Sequence, residues 1–141
     1  MLIPIKDHRI TSPYGYRILR GKKEFLYLIA FISVTGDKNV YAIANGIVEY
    51  DMDNYDDSLR WTDKHHSAGN MIIIRHTIKG AIYYARYLHL GENTVSKNDF
   101  VNEGDILGQY GDYGYSFGAH LHFDLYDKNW KKIDPTPILG V

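Results

Sequence analysis

The 141-residue sequence contains no cysteine. That single absence removes disulfides, thiolate metal sites and cysteine nucleophiles together. It leaves the compartment open, because many exported proteins also lack cysteine. No apolar run approaches the ~18–20 residues a membrane span needs, and the longest, residues 25–34, has the length of a core strand. The N-terminal "MLIPIKDHRI" has no basic stretch leading into a long apolar core, so no signal peptide is expected in this chain. Basic runs are missing too, and the net charge is −1. Nucleic acid and anionic membrane therefore have no electrostatic claim on the chain. There is no internal repeat, no low-complexity tract and no linker, and this length is expected to form one domain, residues 1–141.

What is present is β-forming. Tyrosine (13) is abundant, and glycine (13) punctuates short apolar stretches. "NVYAIANGIVEY" (39–50) reads as a strand, a turn near Asn45-Gly46 and a second strand. Residues 70–78, 81–90, 105–110 and 120–126 read as further strands, and "KKEFLYLIAF" (22–31) as one more, buried. No segment holds a 3.6-residue apolar period over three turns, and residues 93–100 leave room for a turn of helix at most. "DMDNYDDSLRWTDKHHSAG" (51–69) and "GDYGYSFGA" (111–119) read as loops, the first long enough to suggest a function. "DPTPILG" (134–140) cannot continue a central strand. The fold class is mainly β.

Of seven histidines, His120 and His122 form the informative pair. On a strand, residues i and i+2 share a face about 6.6 Å apart, so Leu121 and Phe123 point to a core and two imidazoles point outward. Such a pair can bind or flank one metal ion, or it can be a polar face of satisfied histidines. His89 in "YLHL" and His76 in "MIIIRH" read as structural, strand-end histidines; His65 and His66 read as solvated loop residues, and His8 carries no signal. Gly114-Tyr115-Ser116-Phe117-Gly118 has the spacing of a nucleophile elbow, but a strand follows where that motif needs a helix. Asp51, Asp53, Asp56 and Asp57 do not have EF-hand spacing, and a solvated acidic loop is the simpler reading.

The order of motifs adds more. "ITSPYGYR" (10–17) precedes "VYAIANGIVEY" (40–50) and "GNMIIIRH" (69–76). Then come "YLHL" (87–90), "VNEGDILGQYGDYGYSFGAHLHFDLY" (101–126) and "IDP" (133–135). This series resembles the LytM/lysostaphin-type zinc endopeptidases, which cut peptide bonds in bacterial peptidoglycan, over residues 10–138. The resemblance implies a compact antiparallel β-sheet or sandwich domain with a loop-walled cleft, working in the bacterial cell envelope. It implies that His122 is a zinc ligand and that His120 and His89 are catalytic, flanking the metal's water as general base and stabilisers. Zinc with three protein ligands keeps its fourth position for water and lowers that water's pKa to about 7. An imidazole, near its own pKa at neutral pH, can accept the proton.

The family's other two ligands come from a His-x-Gly-x-Asp motif. In this chain that window holds Leu26, Leu28 and Ala30, and no histidine lies between Arg17 and Asp37. Leucine and alanine offer zinc no lone pair, so the resemblance as it stands implies a site with only His122 retained. The expectation is no tightly bound zinc, with weak binding at His122, His120 and His89 open, and little or no hydrolysis. Extended backbone would put Leu26, Leu28 and Ala30 on one face, making the cleft floor apolar. The chain would then bind a peptidoglycan peptide or an envelope protein partner. Three alternatives stay open: an active endopeptidase whose ligands come from elsewhere (His65, His66 or Asp53), an engineered change at these three positions, and a structural module of an envelope or phage assembly.

Overall fold

The structure, a computed structural model, describes residues 3–52, 69–111 and 119–141. The readings placed on Asp53, Asp56, Asp57, His65, His66 and Ser116 fall outside the described residues. The elements in chain order are β1 (His8–Ser12), β2 (Gly15–Leu19), β3 (Lys22–Leu26), β4 (Ile29–Ser33), β5 (Asn39–Tyr41), β6 (Gly46–Met52), β7 (Asn70–Ile78), β8 (Ala81–Asn93), β9 (Phe100–Val101), β10 (Ile106–Tyr110), β11 (Leu121–Asp127), β12 (Lys132–Ile133) and the single-turn helix α1 (Thr136–Leu139).

Ten of the strands form one sheet in the order β1-β4-β11-β8-β7-β6-β9, with β10 on β5 and β8, and β12 on β11; β2 and β3 form a separate hairpin. The described pairings are antiparallel throughout. The period-two pattern of the sequence is what the sheet buries. Along β7, Ile72, Ile74, His76 and Ile78 are buried while Met71, Ile73 and Arg75 are only half-covered. Along β11, Leu121, Phe123 and Leu125 enter the core with Phe31, Tyr87 and Leu107. The β7–β8 turn is two residues long, Lys79 and Gly80, both at positive φ (50° and 80°), which matches the twist of the flanking strands.

The structure corrects three readings of the sequence. Residues 39–50 are not a hairpin: β5 pairs with β10, and β6 pairs with β7 and β9. The intervening Ala42, Ile43 and Ala44 are buried, and the Ala42 amide donates to the Asp105 carbonyl at 2.9 Å. The link crosses the core instead of turning at the surface, so Asn45-Gly46 opens β6 and is not a tight turn. Residues 22–31 are not one buried strand either. The ladder breaks at Tyr27 and Leu28: Lys22–Leu26 belongs to the largely exposed hairpin, and Ile29–Ser33 enters the main sheet. Leu26 and Ala30 thus sit in different sheets and do not share one extended face.

His76 is also not a strand-end residue. It lies inside β7, fully buried. Its Nδ1–H donates to the Asn45 carbonyl at 3.2 Å, and its Nε2 accepts from the Tyr87 hydroxyl at 2.8 Å. The Tyr87 oxygen in turn accepts from the Ile43 amide at 3.2 Å. Each polar atom of this buried network has a partner, which is what makes it tolerable in a core.

Candidate metal centre

The centre of the sheet brings three histidines together. β11 supplies His122 by simple alternation: Leu121 and Phe123 are core residues, so His122 points to the other face. His120 stands just before the strand, held by an isolated bridge to Gly111.

His89 arrives by a different route. In register, Leu88 lies opposite His122, and a regular β8 would turn His89 away, toward the Phe123 side. Two steps on β7, Asn70 to Ile72, are matched by three on β8, Leu90 to Tyr87. β8 therefore carries one extra residue, a bulge, and His89 sits there at φ 65°. Bulges re-aim side chains next to functional sites, and here the result is an imidazole whose Nε2 lies 2.8 Å from Nδ1 of His122. A non-glycine residue at positive φ is strained by about 1–2 kcal/mol. H89G is therefore expected to be more stable than H89A by about 1 kcal/mol, measured as the shift in urea unfolding. Equal stabilities would mean that the fold does not hold this residue in the left-handed conformation.

The three rings form one cluster. His120 Nε2 contacts His122 Nε2, and ring centroids are 4.2 Å apart for both His89–His122 and His120–His122. Burial, reinforced by His89, His120 and the Arg17 guanidinium, pushes the His122 imidazole down to about 2. His122 is thus neutral at physiological pH, with one N–H and one lone pair. Neutral imidazole is the metal-binding form.

One ligand nitrogen from each of the three histidines lies within 4.8 Å of the other two. Zinc, with Zn–N bonds of about 2.0–2.1 Å, comes close to bridging such a span, and three imidazoles are an accepted zinc donor set. The cluster thus fits zinc in kind. It does not match the ligand set the resemblance implies, since among the described residues it contains no carboxylate.

Ala30 on β4 lies directly opposite His122 on β11. It lines a hollow of about 260 Å³ together with Thr11, Ser12, Ile32, Ala119, His120 and His122. Leu26 ends the β2–β3 hairpin opposite Gly15 and is not among the residues lining that hollow. Arg17, on the same hairpin and bonded to Glu24 at 2.6 Å, acts on His122 electrostatically, a contribution that no local sequence pattern signals.

The sequence model described as Peptidase family M23 matches residues 29–135. The chain belongs to peptidase family M23. Across 64 residues, 45% of this chain and 14% of the relative, the M23 domain is 41% identical to the peptidoglycan DD-endopeptidase ShyA of Vibrio cholerae. The curated relatives it matches are thus several times longer than the matched stretch. Among solved structures, it is similar to the catalytic domain of the antimicrobial peptidase lysostaphin from Staphylococcus simulans, with TM-score 0.70, 27% identity and coverage of 95% of this chain and 93% of that one. A zinc-containing peptidase from Vibrio cholerae matches with TM-score 0.69 and 28% identity over 94% of this chain and 37% of that chain. The mainly antiparallel β architecture of the M23 domain is that of the lysostaphin catalytic domain. No helix among its described residues is long and apolar enough to cross a membrane.

Proposed function

We propose that this M23 domain binds peptidoglycan peptide in the cell envelope and that its hydrolytic chemistry is lost or reduced to a trace. The observation that carries the reading is Ala30 directly across the ladder from His122. Directly opposed residues have Cβ atoms about 4.5–5.5 Å apart, so this is a place from which a short carboxylate would reach the imidazole. Alanine puts a methyl group there. The remaining donors are His89, His120 and His122, of which only His122 is a family ligand. A metal on these nitrogens would supply Lewis acidity toward a peptide carbonyl. The chain's own part is to hold three imidazoles together on the sheet and to present a small hollow beside two of them, His120 and His122.

A second reading has its own support. The proximity of the three nitrogens favours an all-histidine zinc site with retained endopeptidase activity. The two readings part on metal content. Protein purified with equimolar zinc and then dialysed is expected to retain well under one zinc per chain by elemental analysis. It is expected to co-sediment with purified peptidoglycan without releasing soluble fragments. Stoichiometric zinc together with fragment release would overturn the binding reading and carry the second one.

A further inference from the structure

The face of β11 that carries His122 continues beyond it. Asp124 and Tyr126 follow at two-residue steps of about 6.6 Å, and β8 places Arg86 opposite Asp124 and Tyr84 opposite Tyr126. Asp124 is a completely buried carboxylate. Arg86 grips it with Nε on Oδ1 at 2.8 Å and Nη2 on Oδ2. Lys132, opposite Tyr126 on β12, approaches the same carboxylate with its Nζ 3.7 Å from Oδ2.

One carboxylate thus faces two cations. The Arg86–Asp124 fork is already charge-balanced and bidentate, the strong geometry for this pair. Lys132 is too distant from Oδ2 for a good hydrogen bond. The Arg86 and Lys132 side chains keep 25% and 36% of their surface in solvent, against none for Asp124. Together these three side chains carry a net positive charge of one.

That charge is surrounded by rings. The Arg86 guanidinium lies 5.5 Å from the Tyr126 centroid. Lys132 Nζ lies between Tyr126 at 5.8 Å and Tyr27 at 5.7 Å. Trp130 stacks on Tyr84 at 3.9 Å and leans on Tyr126 at 5.5 Å. A cation pair over aromatic faces, with its one buried counter-ion already taken, is complementary to a carboxylate attached to an apolar body.

We propose that Arg86 and Lys132 form a carboxylate-recognition subsite, with Tyr27, Tyr84, Tyr126 and Trp130 as its apolar walls. It receives a peptidoglycan peptide laid along the β8–β11 face across the histidine cluster. This inference rests on the peptide-binding reading above and adds the chemical feature that is recognised. An extended peptide advances about 3.3–3.6 Å per residue, so the carboxylate sits about two residues from the peptide bond presented to His122. It is either the peptide's terminal carboxylate or a side-chain carboxylate within it. Asp124 is the positioning residue, holding the guanidinium flat beside Lys132.

The test uses the whole chain and three forms of a synthetic peptidoglycan stem peptide: free acid, C-terminal amide, and side-chain carboxylates amidated. Binding is followed by NMR shifts of the Trp130 indole and Arg86 Nε–H signals. Blocking the recognised carboxylate is expected to weaken binding about tenfold, the scale of one charge-assisted contact, and which block does so identifies the carboxylate. K132Q is expected to bring the free and blocked forms within about twofold of each other, and K132R to keep the preference. Equal binding of all three peptides to the unsubstituted protein overturns the subsite while leaving peptide binding intact. A preference unaltered in K132Q assigns Lys132 a structural role and overturns it as well. Absence of binding by all three peptides overturns both the subsite and the reading it rests on.

Discussion

The triple substitution L26H/L28G/A30D is expected to raise zinc-dependent release of peptidoglycan fragments by about 10²–10⁴-fold over the parent. The magnitude follows from the donors involved. Even a residue that only orients a metal ligand is typically worth about 10–100-fold in affinity or activity, and here two direct ligands are supplied. The geometry favours position 30 most. It lies opposite His122 in register and borders the hollow shared with His120 and His122, so a carboxylate there needs no backbone movement to approach the cluster. Position 26 is more demanding, because it ends a strand of the separate hairpin and the chain bends at Tyr27 and Leu28 before β4. Glycine at 28 supplies backbone freedom at that bend. A dye-release assay on purified peptidoglycan reads the outcome directly. A triple variant that holds stoichiometric zinc yet stays as inactive as the parent would show that donors at positions 26 and 30 do not confer the hydrolysis. A fully active parent would make the substitutions superfluous.

The second large effect concerns acid. Burial pushes the His76 imidazole down to about 4 from its ordinary 6.5, only partly opposed by the carbonyls of Asn45 and Ala44. Below pH 6.5 the unfolded chain protonates this histidine while the folded one does not. The unfolded state then binds more protons, and stability falls as pH falls. The stabilisation is complete above pH 6.5, declines between 6.5 and about 4, and levels off below. At about 1.4 kcal/mol for each tenfold change in proton affinity, the loss from His76 amounts to about 3 kcal/mol. In metal-free protein His122, also depressed by burial, pulls the same way. Urea unfolding at pH 7, 5.5 and 4 measures the total, and the His76 ring proton signal in NMR isolates its share. A His76 signal titrating near 6.5 with a flat stability profile would show that the Tyr87 network does not keep this imidazole neutral.

The histidine pair was legible because strand alternation is a local property. His120 and His122 flank Leu121, and an apolar residue between two polar ones on a strand divides the faces without reference to the rest of the chain. The β7 and β11 strands were legible for the same reason. The 39–50 segment was misread because Asn-Gly is a strong local turn signal, while the burial of Ala42, Ile43 and Ala44 depends on β10 arriving from sixty residues away. The break at Tyr27 and Leu28 was equally invisible, since both flanking stretches are apolar enough to be strand and only the choice of different pairing partners separates them. Arg86 and Lys132 carry no local sequence signal. The one available signal was Asp124, two residues past His122 and hence on its face, a charge that burial would oblige to find cations.

By itself, the sequence determined that this is a mainly β chain without thiol chemistry and that it carries the motif order of its family. These depend on residue identity and short-range period, which the chain specifies one position at a time. Only the tertiary structure decided that a bulge at positive φ turns His89 onto His122 and that Ala30 lies opposite His122. It alone set two cations against one buried carboxylate further along the same face. Those outcomes depend on register between strands distant in sequence, where one extra residue reverses which side of the sheet a side chain occupies.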